Sequence, residues 1–270
     1  MGAAIARHLV FQPPATAASA ETIAKAHVDA THAWLETKRG SRIEACFFDR
    51  RAATTILFSH ANAEDVATVF AWLRDLSLRL RVNVCAYSYT GYARSRGAPS
   101  EHDAYADVDA AWAYLTETRG LRPERVVLYS RSVGSGPTLY LARRLSLAGA
   151  PPAGVILQSP ILSVFRVAFD FRVTPPGDLF PNVDRVGDVA CPVFVLHGTC
   201  DEVVPFWHGQ ELFLATRPRW RFEPFWVDGA GHNNIEMLLR DSGALFKRLG
   251  EFLDFCAPPP PPTGGGRQKT

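Results

Sequence analysis

The chain has 270 residues, enough for one large α/β domain and too few for two domains with substantial cores of their own. Lysine and arginine number 29 against 27 aspartates and glutamates, so the net charge of +2 offers no basic field of the kind that draws nucleic acid. Apolar residues at 47% and charged residues at 21% exclude a disordered chain, and no apolar run approaches the roughly 20 residues that span a membrane.

Met1-Gly2 opens like an acylation signal, but Ala6 stands where that motif requires Ser or Thr. Arg7 and His8 follow before any signal-peptide core can form. Residues 1–41 read as an N-terminal extension, 42–256 as one domain, and 257–270 as a Pro/Gly tail with nothing to bury. Within the domain, β-branched and aromatic runs alternate with amphipathic stretches, which predicts a mostly parallel sheet wrapped by helices. The strands are predicted at Arg42–Phe48, Thr54–Ser59, Val82–Tyr89, Arg125–Tyr129, Gly154–Gln158, Pro192–Leu196 and Arg221–Val227. The helices are predicted at Glu64–Leu80, Asp103–Arg119, Val133–Ala148, Trp207–Thr216 and Ile235–Phe255. Runs such as Val193-Phe194-Val195-Leu196 are apolar on both faces, as buried parallel strands are.

Residues 161–190 break this rhythm with Pro175-Pro176-Gly177 and a phenylalanine-rich lead-in. They predict a short cap, and long loops in compact domains tend to serve sites. The apolar run Ile161-Leu162-Ser163-Val164-Phe165, with Phe169 and Phe171 beyond it, could line a groove; the alternative is that these side chains face the core. Five cysteines form an odd set with no CxxC pair, which argues against a disulfide framework or a zinc site and for a reducing, cytoplasmic compartment. No cofactor or metal is expected.

The chemistry concentrates where the strand Arg125–Tyr129 runs into Ser130-Arg131-Ser132-Val133-Gly134 and then into a helix. Strand, tight turn and helix are the context of a nucleophile elbow, whose usual form is G-x-S-x-G. Ser130 replaces the first glycine, where a small side chain is tolerated, and Gly134 keeps the second. The competing reading is a serine-rich helix cap without catalysis. Two later loops supply partners. His197-Gly198-Thr199-Cys200-Asp201 follows a buried strand and puts Asp201 at the carboxyl edge of the sheet. Asp228-Gly229-Ala230-Gly231-His232-Asn233 follows the last strand and puts His232 on a glycine-rich loop. Ser132, Asp201 and His232 in that chain order fit a nucleophile, an orienting acid and a general base. Of the rival acids, Asp228 suits a local salt bridge and Glu202 a solvated position. The loop His60-Ala61-Asn62-Ala63 follows Thr54–Ser59, and an oxyanion is expected to bind the backbone N–H groups of Asn62 and Val133. His60 reads as structural, and His8, His27, His32, His102, His197 and His208 as surface or satisfied structural groups.

From about Phe11 to Phe252 the chain resembles the α/β-hydrolase domain-containing depalmitoylases numbered seventeen in that series, and their serine-aminopeptidase-like relatives. The resemblance rests on Phe11-Gln12-Pro13-Pro14, Phe58-Ser59-His60-Ala61-Asn62-Ala63, Tyr87-Ser88-Tyr89-Thr90-Gly91-Tyr92, Tyr105-Ala106-Asp107-Val108-Asp109-Ala110-Ala111-Trp112, Ser159-Pro160-Ile161-Leu162-Ser163, Arg166-Val167-Ala168-Phe169 and Gly229-Ala230-Gly231-His232-Asn233. It implies an α/β-hydrolase fold and hydrolysis of the thioester between a fatty acyl chain and a protein cysteine. Against the family pattern, Ala61 stands for glycine in H-G-N, Ser130 for glycine in G-x-S, and Ser88 for an aspartate. The family also carries an N-terminal cysteine cluster that holds it on membranes; here the first cysteine is Cys46, so that attachment is not carried over and only peripheral membrane contact stays open. A small-molecule carboxylesterase and a non-catalytic binding protein of the same fold are the alternatives.

Overall fold

The computed structural model describes residues 10–15, 19–169, 174 and 176–257. An eight-stranded sheet runs in the order β1-β2-β4-β3-β5-β6-β7-β8. Its strands are β1 (Ala30–Glu36), β2 (Arg42–Phe48), β3 (Thr55–Ser59), β4 (Asn83–Tyr87), β5 (Val126–Arg131), β6 (Gly154–Gln158), β7 (Val193–Gly198) and β8 (Phe225–Val227). β2 pairs antiparallel with both β1 and β4, and every other pairing is parallel. Successive strand residues alternate faces: Leu57 and Leu128 enter one apolar cluster, while Ile56, Phe58, Val127 and Tyr129 enter the other. Both clusters are covered by helices, which is why the central strands lack a polar face.

The helices are α1 (Ala20–Lys25), α2 (Val66–Leu80), α3 (Glu101–Ala113), α4 (Ser135–Leu147), α5 (Val164–Ala168), α6 (Val183–Val186), α7 (Trp207–Ala215), α8 (Ile235–Leu238) and α9 (Ala244–Cys256). α2 begins with a capping box in which the Asp65 carboxylate accepts from the Thr68 N–H and the Thr68 hydroxyl accepts from the Asp65 N–H. α3 is capped by Ser100, whose hydroxyl accepts from the Asp103 N–H.

Several boundaries differ from the sequence reading. β1 lies inside the 1–41 segment read as an extension; as an edge strand of partly exposed residues it lacks the apolar run that marks its neighbours. The helix predicted over Ile235–Phe255 is two helices, because Gly243 at φ +63° breaks it between α8 and α9. The stretch predicted as one helix over Asp103–Arg119 changes after Ala113 into a π-helical turn over Tyr114–Thr118, closed by Arg119 N–H to Tyr114 O at 2.9 Å. The tail from 258 onward lies outside the described residues.

The connections explain where a site can form. From β3 the chain moves to β4 on one side, then returns past β3 to β5 on the other. The carboxyl ends of β3 and β5 therefore flank a topological switch point, where helices diverge and leave a crevice.

Candidate active site

β5 ends at Arg131 and a single 3₁₀ turn over Ser132–Gly134 leads into α4. Ser132 has φ +51°, in the left-handed region that a non-glycine residue occupies only when its surroundings impose it. Gly134 shows part of the constraint: a Cβ there would meet Ser59 O at 2.4 Å and His60 O at 2.8 Å, so the turn lies against the end of β3. Ser130, in place of the usual glycine, is fully buried, with its hydroxyl 3.5 Å from Ile156 O on the neighbouring strand. Ser135 is structural. Its hydroxyl donates to Ser132 O and accepts from the Ile161 N–H and the Asn182 amide, so it is fully engaged.

The structure brings Ser132, His232 and Asp201 together across 100 residues of chain. His232 Nε2 is 3.0 Å from Ser132 Oγ, and His232 Nδ1 is 2.8 Å from Asp201 Oδ2. With Nδ1–H donating to the carboxylate, Nε2 is left to accept the serine proton. Asp201 is 9% exposed, and its other oxygen accepts from the N–H groups of Val203 and Val204 at 3.0 and 2.7 Å. Burial alone would raise its pKa, but the donors His197, His232 and Val204 outweigh it and hold the carboxyl well below the usual range.

His197 is a contact the sequence reading missed. It is fully buried on β7, and its Nε2 lies 3.1 Å from Asp201 Oδ2 and 2.9 Å from Val204 O. The i, i+4 spacing of His197 and Asp201 across a strand-to-loop bend was the available signal. Glu202 is exposed, as expected, and also accepts from the His232 N–H at 3.2 Å, which ties the two loops. Asp228 makes no ion pair among the described residues; it accepts from the Thr199 hydroxyl at 3.2 Å.

In the loop after β3, His60 is buried. Its Nδ1–H donates to Ala61 O at 2.7 Å and its Nε2 accepts from the Tyr89 N–H at 3.4 Å, while burial lowers its pKa and keeps it neutral. The Asn62 side chain accepts from the Gln12 N–H and the Tyr92 hydroxyl, both at 2.8 Å, which fixes the loop from outside. Ala61 lines the cavity at Ser132, and its N–H is taken by Glu64 Oε2 at 2.9 Å. Neither Asn62 nor Val133 is part of that lining, although Val133 follows Ser132 directly.

Arg131 joins the loops. Its guanidinium pairs with Glu64 Oε1 at 3.0 Å, pairs with Glu236 of α8, and stacks 3.8 Å from the Trp72 ring centre. Burial works against its charge, but the two carboxylates outweigh it and raise its pKa further. One side chain beside the serine thus bridges the loop after β3 and the helix behind His232.

The cavity at Ser132 is small, about 50 Å³, and polar. None of the described residues of 161–190 lines it: Ile161 and Leu162 are in the core, Phe165 is half-buried elsewhere, Phe169 is exposed, and Phe171 lies outside the described residues. A larger groove of about 570 Å³ between α3 and α4 holds none of the site residues, and its Arg39, Arg143 and Arg144 are paired with Asp103, Asp188 and Asp109. Among the described residues no cluster could hold a metal ion, and no helix is long and apolar enough to cross a membrane. All five cysteines are unpaired, and burial pushes the Cys46 thiol up to about 12.

Sheet order, switch-point crevice and strained elbow define an α/β hydrolase. The fold is shared with the Pyrococcus furiosus esterase Pf2001, at TM-score 0.72 and 15% identity over 91% of this chain and 99% of that one. It is shared also with an alpha-beta hydrolase from Vibrio vulnificus, at TM-score 0.70 and 17% identity over 90% and 89%. No family model matches the chain. Curated relatives do: alpha/beta hydrolase domain-containing protein 17B of Xenopus tropicalis is 44% identical over 222 residues, 80% of this chain and 73% of the relative. The human 17B protein is 42% identical over the same shares, and the mouse 17C protein is 42% identical over 82% of this chain and 67% of its own. The chain belongs to the alpha/beta hydrolase domain-containing protein 17 family.

Proposed function

We propose that the chain is a serine hydrolase of acyl esters and thioesters, with Ser132 as nucleophile, His232 as general base and Asp201 as orienting acid. The reading is carried by the bonded sequence from Ser132 Oγ through both His232 nitrogens to Asp201. In acylation Ser132 Oγ bonds to the acyl carbon while His232 Nε2 takes its proton, then returns it to the departing oxygen or sulfur. Asp201 holds the tautomer and stabilises the imidazolium that forms. The backbone N–H groups of Val133 and Asn62 are the proposed oxyanion donors; the Ala61 N–H is already engaged by Glu64.

As substrate we propose a fatty acylated protein, as the family resemblance implies. A cavity of about 50 Å³ cannot enclose a palmitoyl chain, so the chain must run in the open. Exposed Val203, just past Asp201, and exposed Met237 and Leu238, just past Glu236 of the cavity wall, offer apolar surface beside the site. The small polar cavity favours the second reading, a small-molecule carboxylesterase. Rates (kcat/KM) for thioesters from acetyl to palmitoyl, below their micelle concentrations, separate the two. Burying each methylene at about 0.8 kcal/mol raises the rate roughly fourfold, so a long-chain enzyme shows a rising profile that Met237→Gln flattens. A profile peaking at acetyl or butyryl supports the small-ester reading.

A further inference from the structure

Ser159 ends the β6 edge of the crevice, directly before Pro160, and has no part in the chemistry above. Its φ is +46°, a backbone that side chains avoid, and the following proline restricts it further. Ser159 is 2% exposed, its N–H is taken by Leu196 O at 2.9 Å, and its hydroxyl has no hydrogen-bond partner among the described residues. Buried hydroxyls are nearly always bonded, and backbone strain clusters where a function requires it. Both features fall on a residue that lines the same cavity as Ser132 and His232.

Much of the rest of that wall is already committed. Gln158 accepts from the Tyr129 hydroxyl at 2.6 Å and donates to Glu236 at 2.8 Å. Glu64 holds Ala61 N–H and Arg131, and Arg131 holds Glu64 and Glu236. The Arg131 Nε–H also lacks a hydrogen-bond partner among the described residues but can only donate, so Ser159 is the buried hydroxyl of the wall, besides Ser132, that can accept from a visitor. A cavity of about 50 Å³ with a polar lining takes a few water molecules and suits them better than an acyl chain.

We propose that Ser159 positions the hydrolytic water of deacylation, an inference that rests on the Ser132 acyl-enzyme proposed above. In that step the water oxygen bonds to the acyl carbon while one of its protons passes to His232 Nε2. The tetrahedral intermediate then collapses: the bond to Ser132 Oγ breaks, Ser132 recovers that proton from His232, and the carboxylic acid leaves. The second O–H of the water keeps its proton and donates a hydrogen bond to Ser159 Oγ, which aims the attacking lone pair at the carbonyl. Ser159 lines the cavity with a left-handed backbone, and the proposal requires its hydroxyl to turn toward the water there.

Stopped-flow hydrolysis of p-nitrophenyl butyrate by the full chain separates acylation, read as the nitrophenolate burst, from deacylation, read as the steady state. In Ser159→Ala and Ser159→Gly the acylation constant and the rate of fluorophosphonate labelling stay at native values. Deacylation slows on the order of tenfold or more, which turns the trace into a stoichiometric burst. Glycine accepts the left-handed backbone, so the Gly variant melts no lower than the native protein and its slow step is not a folding defect. Native deacylation in both variants overturns the proposal, as does an equal fall in acylation and deacylation, which would assign the hydroxyl to the leaving group or to structure. A native protein inert to both the ester and the fluorophosphonate overturns the Ser132 reading itself, and this proposal with it.

Discussion

Replacing Arg131 by methionine keeps the apolar stem and deletes the charge that joins three parts of the site. Arg131 is 14% exposed, and its partners Glu64 and Glu236 are 25% and 24% exposed. Removing one member of a buried ion pair costs about 3–5 kcal/mol because the surviving charges stay desolvated. The quarter exposure of the two glutamates lets them turn toward water, which favours the lower end of that range. Lost stacking on Trp72 at 3.8 Å adds to it. A loss of about 3 kcal/mol corresponds to a melting temperature roughly 6–12 °C lower for a domain of this size. The triple variant Arg131→Met, Glu64→Gln, Glu236→Gln leaves no stranded charge and should recover a good part of that loss in a calorimetric melt. A single variant that melts with the native protein, or a triple variant that melts below the single one, would refute the reasoning. Activity should fall in both, because Glu64 holds the Ala61 N–H and Arg131 holds Glu64.

Gly134→Ala places a methyl 2.4 Å from Ser59 O, a backbone atom that cannot swing aside; fluorophosphonate labelling of Ser132 should be lost while the far-ultraviolet circular dichroism spectrum stays native-like. His197→Phe removes a donor to Asp201; a charge-assisted hydrogen bond of about 1.5–3 kcal/mol predicts kcat lower by roughly tenfold or more with KM little changed, read from steady-state ester kinetics. His208 is buried with Nδ1 accepting from the Leu162 N–H, and burial lowers its pKa from 6.5 to about 4. The unfolded chain therefore takes up this proton first as pH falls. The stability His208 confers is full above pH 6.5 and is lost toward pH 4, about 3 kcal/mol in all, so between pH 7 and pH 4.5 the melting temperature of His208→Gln should fall less than that of the native protein.

Much of the fold was legible because its signals are local. β2 and β6 match their predicted bounds residue for residue, since a run buried on both faces stands out from its flanks. β1 did not, because an edge strand on the sheet's rim needs no such run. The elbow, the acid loop and the histidine loop were readable from strand, turn and small-residue order, and the structure places Ser132, Asp201 and His232 within hydrogen-bond reach. What sequence order could not give is which side chains meet across it. The Arg131 bridge joins residues 67 positions apart to Glu64, and the bond from His197 to Asp201 depends on how sharply the chain bends after β7. The expected groove along Ile161–Phe165 failed for a similar reason: apolar side chains announce burial, and here Ile161 and Leu162 are buried in the core rather than beside the serine.

The central claim is that Ser132 is the nucleophile, and intact mass after fluorophosphonate treatment tests it most directly. The native protein should gain one phosphonyl group, mapped by peptide fragmentation to Ser132, and Ser132→Ala should gain none while melting as the native protein does. A native protein that stays unmodified, or an adduct carried by Ser135 or Ser159, would contradict the account.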